Sequence, residues 1–146
     1  MDMDDKLTKN MEDYLEAILI LEKNNKVARA TDISDMLSVK KPSVTSALKF
    51  LSEKGYVNYN RYKEVTLTKE GLDYAKKVYQ RHLEIKEFLI KVLNVTEEKA
   101  EENACRMEHV IDEDIFNKLS SFLNFVTKSD TTCVNIDKFK LECDED

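Results

Sequence analysis

The sequence predicts a mainly α-helical fold with one small β-hairpin wing: an N-terminal winged helix-turn-helix followed by a helical domain. Three observations support this prediction. The 146 residues include only two glycines and one proline, which favours long helices over a turn-rich β fold. Apolar residues recur at helical spacing along most of the chain, and one short segment of alternating apolar and polar residues interrupts them.

Two helices are expected near the start of the chain. The first covers residues 11–23, where Tyr14 and Ile18 belong to an apolar stripe with helical spacing. The second is shorter and covers residues 31–37, and Thr31 is a natural N-cap for it.

A third helix and a hairpin follow. The helix covers residues 42–54, because Pro42 fits a first helical turn and Gly55 fits the stop after the last one. Residues 56–59 and 64–68 alternate apolar and polar side chains, which predicts the two strands of a hairpin.

The second half of the chain is expected to be helical. One long helix runs from Thr68 to about residue 93, and another helical stretch covers residues 96–126 with an interruption at 112–114. Residues 127–146 are polar and weakly patterned, so we expect a loose tail there.

Composition excludes some classes of protein. No apolar run approaches the roughly 18 residues of a membrane span, and the acidic N-terminus, Met1 to Asp5, does not have the form of a secretory signal. Three cysteines, an odd number without close pairing, predict a reducing, cytoplasmic environment rather than a disulfide framework.

The charge is unevenly distributed, although the net charge is −6. Residues 26–63 carry a local charge of +5, whereas residues 1–25 carry −4 and residues 96–146 carry −8. A basic middle between acidic flanks is suited to a DNA surface together with a cation site. Chance clustering of charges on solvated faces would give the same pattern.

The third helix and the hairpin tip carry the candidate DNA contacts. Hydroxyl groups on the outer face of the helix can reach base edges, and basic residues around it and at the tip can hold phosphates. The candidates are Arg29, Lys40, Lys41, Pro42, Ser43, Thr45, Ser46, Lys49, Arg61 and Lys63. A solvated basic face, or a winged helix that binds another protein, would explain the same residues.

A candidate metal site lies later in the chain, where Cys105, Glu108 and His109 stand at positions i, i+3 and i+4. On a helix these side chains share one face, and a mixed sulfur, oxygen and nitrogen set suits Fe²⁺, Co²⁺ or Zn²⁺. The pair Asp13 and Glu16 offers further carboxylates at i and i+3.

His82 is the other histidine of the chain and a further candidate ligand. Each candidate ligand also has a simpler interpretation. Cys105 can be a small core residue, His82 can be a surface residue, and Asp13 and Glu16 can form a solvated helix face.

Four stretches of the sequence resemble the diphtheria-toxin-repressor and manganese-transport-regulator family of metal-dependent repressors, in its two-domain form. They are MEDYLEAILILE, ATDISDMLSVKKPSVTSALKFLSEKGYV, VTLTKEGLDYAKKVYQRHLEIKEFL and ENACRMEHVI, and they follow the family's order over most of residues 11–125. The resemblance implies a winged helix-turn-helix over 1–72, a helical metal-binding and dimerisation domain over 73–126, and a tail over 127–146.

The resemblance also implies a function and a ligand set. The function is repression of metal-uptake genes by a homodimer on a palindromic operator, with Fe²⁺ or Mn²⁺ as corepressor and Co²⁺, Ni²⁺ or Zn²⁺ as substitutes. Pro42, Ser43 and Ser46 match the DNA-facing start of the recognition helix. The implied metal ligands are Asp13, Glu16, His82, Cys105, Glu108 and His109.

Four positions distinguish this sequence from the usual pattern of the family. Asp13 matches the manganese members, while Cys105 matches the iron members, so the two positions favour different metals. Lys86 stands where the family usually has a glutamate ligand, which puts one metal site in doubt unless the lysine charge replaces part of the role of a metal. Glu101 stands where iron members have a histidine, and it is a candidate replacement.

The hypothesis is that metal neutralises clustered carboxylates and so sets the spacing of two recognition helices in a dimer. One alternative is a metal-independent winged-helix regulator. Another is a metal-dependent hydrolase with Glu108 as general base, which we disfavour because no oxyanion-stabilising or phosphate-binding motif accompanies that residue. We therefore expect a protein that is not an enzyme.

Overall fold

The computed structural model describes residues 6–24, 26–61, 63–128 and 137–139. The chain divides into two compact units, Met1–Tyr79 and Gln80–Asp146, and the division falls inside one long helix. Most of the predicted tail, including Cys133 and Cys143, lies outside the described residues. The elements in chain order are α1 (Lys9–Lys23), α2 (Ala30–Leu37), α3 (Lys41–Glu53), β1 (Val57–Asn58), β2 (Thr66–Leu67), α4 (Lys69–Lys91), α5 (Glu97–Met107) and α6 (Glu113–Lys128).

The first unit contains a winged helix-turn-helix, as the sequence predicts. Its core is formed by the apolar faces of α1, α2 and α3, with Leu15, Ile18, Ile33, Leu48 and Leu51 fully buried. Helix α1 begins two residues before the predicted start, because the Thr8 side chain accepts a hydrogen bond from the backbone N–H of Met11 at 3.4 Å.

The prediction that Thr31 caps α2 is wrong. The helix begins at Ala30, and its N-cap is Arg29, whose side chain makes no capping hydrogen bond. The reason is tertiary: Ala28 forms an isolated antiparallel bridge with Val65, and the Val65 N–H donates to the Ala28 carbonyl at 2.8 Å. This bridge holds the chain extended up to the helix and so fixes the point where the helix starts.

The turn between α2 and α3 is held by backbone geometry and one side chain. Ser38 ends α2 in the left-handed region, with φ of 54°. The Ser34 hydroxyl donates to the Val39 carbonyl at 2.6 Å, and the Val39 N–H donates to the Ser34 carbonyl at 3.1 Å. Both bonds fix the direction in which the chain enters α3.

The predicted hairpin is confirmed, but its strands are shorter than expected. Strands β1 and β2 pair antiparallel, with Val57 opposite Leu67 and Asn58 opposite Thr66. The alternating pattern in the sequence extends beyond this ladder, because side chains next to a strand can keep the alternation without backbone pairing.

Helix α4 begins where the sequence predicts, and its first turn lies very close to β1. The Thr68 hydroxyl accepts from the Gly71 N–H at 3.0 Å, while the Thr68 N–H donates to the Tyr56 carbonyl at 3.0 Å. A Cβ atom on Gly71 would lie 1.8 Å from that same carbonyl oxygen. Only glycine therefore allows this approach.

The second unit has its own small core. Ile85 and Leu89 of α4 pack with Ala100 and Ala104 of α5, and all four are buried. The expected interruption of the last helical stretch exists, but it lies at residues 108–112 rather than 112–114, because α5 ends at Met107 and α6 begins at Glu113. Within the part of the chain that the structure describes, no helix has both the length and the apolar character needed to cross a membrane.

We expect Gly71→Ala to lower the free energy of unfolding by about 1–3 kcal/mol or more, because the added methyl group must displace backbone rather than a mobile side chain. Thermal unfolding followed by circular dichroism measures the effect. Gly55→Asn is the matched control: Gly55 has φ of +83° with nothing near its Cβ position, and asparagine tolerates that backbone. Equal melting temperatures for Gly71→Ala and the parent chain would contradict the close approach.

Candidate metal centre and nucleic-acid surface

Three side chains of the second unit bring candidate metal-ligand atoms close together. His82 lies in the middle of α4, Cys105 lies in the last turn of α5, and Glu108 directly follows that helix as its C-cap. A ligand atom from each of the three lies within 4.8 Å of the other two. Residue spacing explains why Cys105 and Glu108 are close, because Glu108 keeps helical dihedrals and so stays on the same face as Cys105. It does not explain the approach of His82, which lies on another helix.

Glu108 lies between two imidazole rings. Its side chain is fully buried, and its Oε2 lies 3.2 Å from Nδ1 of His82. Its Oε1 lies 3.0 Å from Nε2 of His109, whose side chain is also fully buried. A buried carboxylate is costly unless charge or hydrogen bonds compensate for it, so this arrangement is built around Glu108.

The second ring nitrogen of His82 has a different partner. Its Nε2 lies 2.9 Å from Oε1 of Glu101, which projects from α5. The hydrogen bond to Glu108 raises the pKa of His82 above its usual value despite the opposing effect of burial, and Glu101 adds to the increase.

Lys86 is part of the same network. Its Nζ lies 3.0 Å from Oε2 of Glu101 and 3.4 Å from Oε1 of Glu97. The hydrogen bond to Glu101 raises the pKa of Lys86. Burial acts to raise the pKa of Glu101, but hydrogen bonds from Lys86 and His82 outweigh it, and the pKa is lowered. The sequence analysis did not identify Glu97. A usable signal was present: Glu97 and Glu101 have i, i+4 spacing, and so do His82 and Lys86, so two matching pairs of side chains can face each other across two helices.

The donor set fits a divalent transition metal. It offers an imidazole nitrogen, a sulfur and a carboxylate oxygen, which is the mixture that borderline metals such as Fe²⁺, Co²⁺ and Zn²⁺ accept. Two simpler interpretations do not hold. Cys105 is exposed rather than a core residue, and His82 is buried rather than on the surface.

Asp13 and Glu16 lie in the first unit, one turn apart on α1. Asp13 is half-buried and Glu16 is buried, so a fully solvated helix face does not describe this pair. The neighbouring Glu12 is also buried and accepts a hydrogen bond from the Tyr74 hydroxyl at 3.4 Å. That Asp13 and Glu16 bind metal stays a prediction from the resemblance.

The start of α3 presents most of the candidate DNA contacts to solvent. The exposed residues are Lys40, Lys41, Pro42, Ser43, Ser46 and Lys49. Thr45 differs, since it is half-buried and its hydroxyl donates to the Lys41 carbonyl of its own helix at 3.1 Å. No acidic residue interrupts this surface between Val39 and Leu51.

The wing adds a second basic region. Arg61 and Lys63 are exposed at the hairpin tip, and Arg29 is exposed at the start of α2. Arg29 and Lys63 both line a shallow cavity of about 620 Å³ together with Glu64 and Thr66. Basic residues that are far apart in sequence thus share one depression of the first unit.

Two family models match the chain, and together they span most of it. The model described as the N-terminal DNA-binding domain of iron-dependent repressors matches residues 6–65. The model described as the metal-binding and dimerisation domain of iron-dependent repressors matches residues 68–133.

Individual relatives agree with these matches. The chain is 38% identical to an uncharacterized HTH-type transcriptional regulator of Methanocaldococcus jannaschii, over 80% of this chain and 94% of the relative. It is 30% identical to the HTH-type transcriptional regulator MntR of Bacillus pumilus, over 88% of this chain and 89% of the relative. Among solved structures, the manganese regulator SloR superposes with a TM-score of 0.70 and 31% identity, over 82% of this chain. The chain spans 55% of the length of SloR.

Proposed function

The chain belongs to the iron-dependent repressor family of metal-responsive transcriptional regulators, and from that premise we propose that it binds operator DNA as a homodimer when a divalent metal is bound. The observation that supports the metal dependence is the approach of ligand atoms from His82, Cys105 and Glu108 to within 4.8 Å of one another. Fe²⁺ or Mn²⁺ is the proposed corepressor, and Co²⁺, Ni²⁺ or Zn²⁺ can substitute.

Each of the three proposed ligands contributes a different chemical group to the proposed site. Glu108 provides a buried negative charge, Cys105 provides a thiolate at the exposed side, and His82 provides a nitrogen that already faces Glu108. The bound metal contributes the positive charge that balances these groups. The assignment of Asp13 and Glu16 as further ligands rests on their i, i+3 spacing and on the resemblance to the family.

The proposed DNA contact uses the start of α3 and the wing. A helix of this size fits the major groove of B-DNA, and short side chains at its start leave the backbone close to base edges. Ser43 and Ser46 are the proposed base-reading residues. The exposed lysines of α3 and the basic residues of the wing are the proposed phosphate contacts, which fix position rather than sequence.

One observation favours the metal-independent alternative. His82, Glu101 and Lys86 form a charged network made only of protein groups, so part of the site is already held without metal. DNA binding in the presence of a chelator distinguishes the two functions.

The DNA for this test is a fragment selected from genomic DNA by the metal-loaded protein. We expect the protein to bind it at least tenfold more tightly with Fe²⁺, Mn²⁺ or Co²⁺ than in the presence of EDTA. Fluorescence anisotropy at fixed salt measures it, since salt alone changes all such affinities. Glu108→Ala should lose this gain, because it removes the buried carboxylate of the site. Glu102→Ala, an exposed position on α5, should keep it. Equal affinity in EDTA and in metal would refute metal dependence.

We expect Cys105→Ser to weaken Co²⁺ and Zn²⁺ binding by roughly tenfold or more while changing Mn²⁺ binding less, because a hydroxyl is a harder ligand than a thiolate. The Co²⁺ complex should also lose its sulfur-to-metal charge-transfer absorption. Cys133→Ser is the matched thiol control. An unchanged Co²⁺ spectrum in Cys105→Ser would show that the thiol is not a ligand.

We expect Lys49→Ala to weaken binding to all DNA sequences about equally and to reduce the slope of log affinity against log salt by about 1, since one phosphate contact is lost. Anisotropy titrations at several salt concentrations give the slope. Lys118→Ala, an exposed lysine of α6, is the control. Sequence-selective loss would instead indicate that Lys49 reads a base.

A further inference from the structure

We propose that Glu101, held in place by Lys86, is a positioning residue that directs Nδ1 of His82, rather than Nε2, toward the metal. The inference rests on the proposed metal site. It adds which atom of His82 binds and which residues of this chain decide it.

The two nitrogens of His82 face different carboxylates. Nδ1 lies 3.2 Å from Oε2 of the proposed ligand Glu108, whereas Nε2 lies 2.9 Å from Oε1 of Glu101. Glu101 is not among the residues whose ligand atoms gather with Cys105 and Glu108. A histidine ligand usually donates its other N–H to a carboxylate, and that bond fixes both the tautomer and the orientation of the ring. Glu101 is in the position to accept this bond.

Lys86 holds the Glu101 carboxylate in one orientation, which the solvent-exposed surroundings of Glu101 do not do. The Glu101 side chain is 53% exposed, so solvent and rotamer freedom compete with its contact to His82. Lys86 Nζ lies 3.0 Å from Oε2, which is the carboxylate oxygen that does not face His82. With a separate partner on each oxygen, the carboxylate is oriented in one direction.

Helix geometry fixes this arrangement. His82 and Lys86 are one turn apart on α4, so both project from the same face. Glu97 and Glu101 are one turn apart on α5, and Lys86 reaches both of these carboxylates. The buried alanines of α5, Ala100 and Ala104, pack with Ile85 and Leu89 of α4 and keep the two helices at this separation.

An ordinary surface ion pair would have a different consequence. Exposed pairs contribute little to stability and nothing to the choice of a ring nitrogen. The positioning role instead predicts an effect on metal affinity and on the protonation of one defined nitrogen, so both are measured.

The test uses the full chain and Zn²⁺, which is diamagnetic. Competition with a chromophoric chelator gives the affinity, and two-dimensional ¹H–¹⁵N spectra of the imidazoles show which nitrogen of His82 carries a proton. In the Zn²⁺ complex we expect the proton on Nε2 and the metal on Nδ1. Glu101→Ala should lower Zn²⁺ affinity by about 10- to 100-fold.

Two further variants separate positioning from structural damage. Lys86→Met replaces the lysine with an unbranched apolar side chain of similar size and removes the charge, and it should lower the affinity by a few-fold. Glutamine has one acceptor oxygen for the two donors that face Glu101, so Glu101→Gln is made together with Lys86→Met, where no lysine competes for that oxygen. The amide oxygen can then accept from Nε2–H, and the double variant should keep the affinity of Lys86→Met alone. Lys91→Met removes the exposed Lys91–Glu87 pair of the same helix and is the matched control, with no expected change.

The outcomes are distinguishable. Zn²⁺ affinity of Glu101→Ala within threefold of the parent chain, or a proton on Nδ1 in the complex, would overturn the positioning role and leave the proposed function intact. Loss of affinity in the Glu101→Gln, Lys86→Met double variant equal to that in Glu101→Ala would mean that accepting a hydrogen bond from Nε2–H is not what Glu101 contributes, which also overturns the positioning role. If the parent chain does not bind Zn²⁺, Co²⁺ or Mn²⁺, the proposed function and this inference both fail.

Discussion

The burial of the Glu108 carboxylate is the constraint on which the second unit depends. A fully buried carboxylate needs compensating charge or donors, and Glu108 has an imidazole on each oxygen, from His82 and from His109. Both histidines of the chain thus contact the same carboxylate, each through one ring nitrogen. A site of this kind attracts a cation, because a metal can provide positive charge next to the buried carboxylate.

The small core of the second unit makes this site possible. Alanines at positions 100 and 104 let α5 approach α4 closely, and the charged groups of both helices then meet along the edge of that contact. The same approach places Glu101 against His82 and Lys86 against Glu101. Apolar packing therefore sets which charged groups meet, and Lys86 contacts the carboxylates of both Glu97 and Glu101.

In the first unit, backbone contacts rather than charged side chains hold the elements in position. Each strand of the wing is only two residues long. The position of the wing therefore depends on two further contacts, the bridge between Ala28 and Val65 and the close approach of Gly71 to Tyr56. These contacts join α2, the hairpin and α4 at one side of the core. They leave the start of α3 exposed with its lysines and serines, as a DNA-reading helix requires.

The sequence by itself determined the helices, the hairpin and the family, because apolar periodicity and turn residues are local properties of the chain. It also identified Cys105 and Glu108 as neighbours, since their spacing on one helix fixes their separation. Only tertiary structure decided that His82 joins them, that Glu97 and Glu101 share Lys86, and that α2 begins at Ala30 instead of after Thr31. Each of these depends on contacts between segments far apart in the chain, and the distance between such segments is set by how their apolar faces pack, which no local pattern contains.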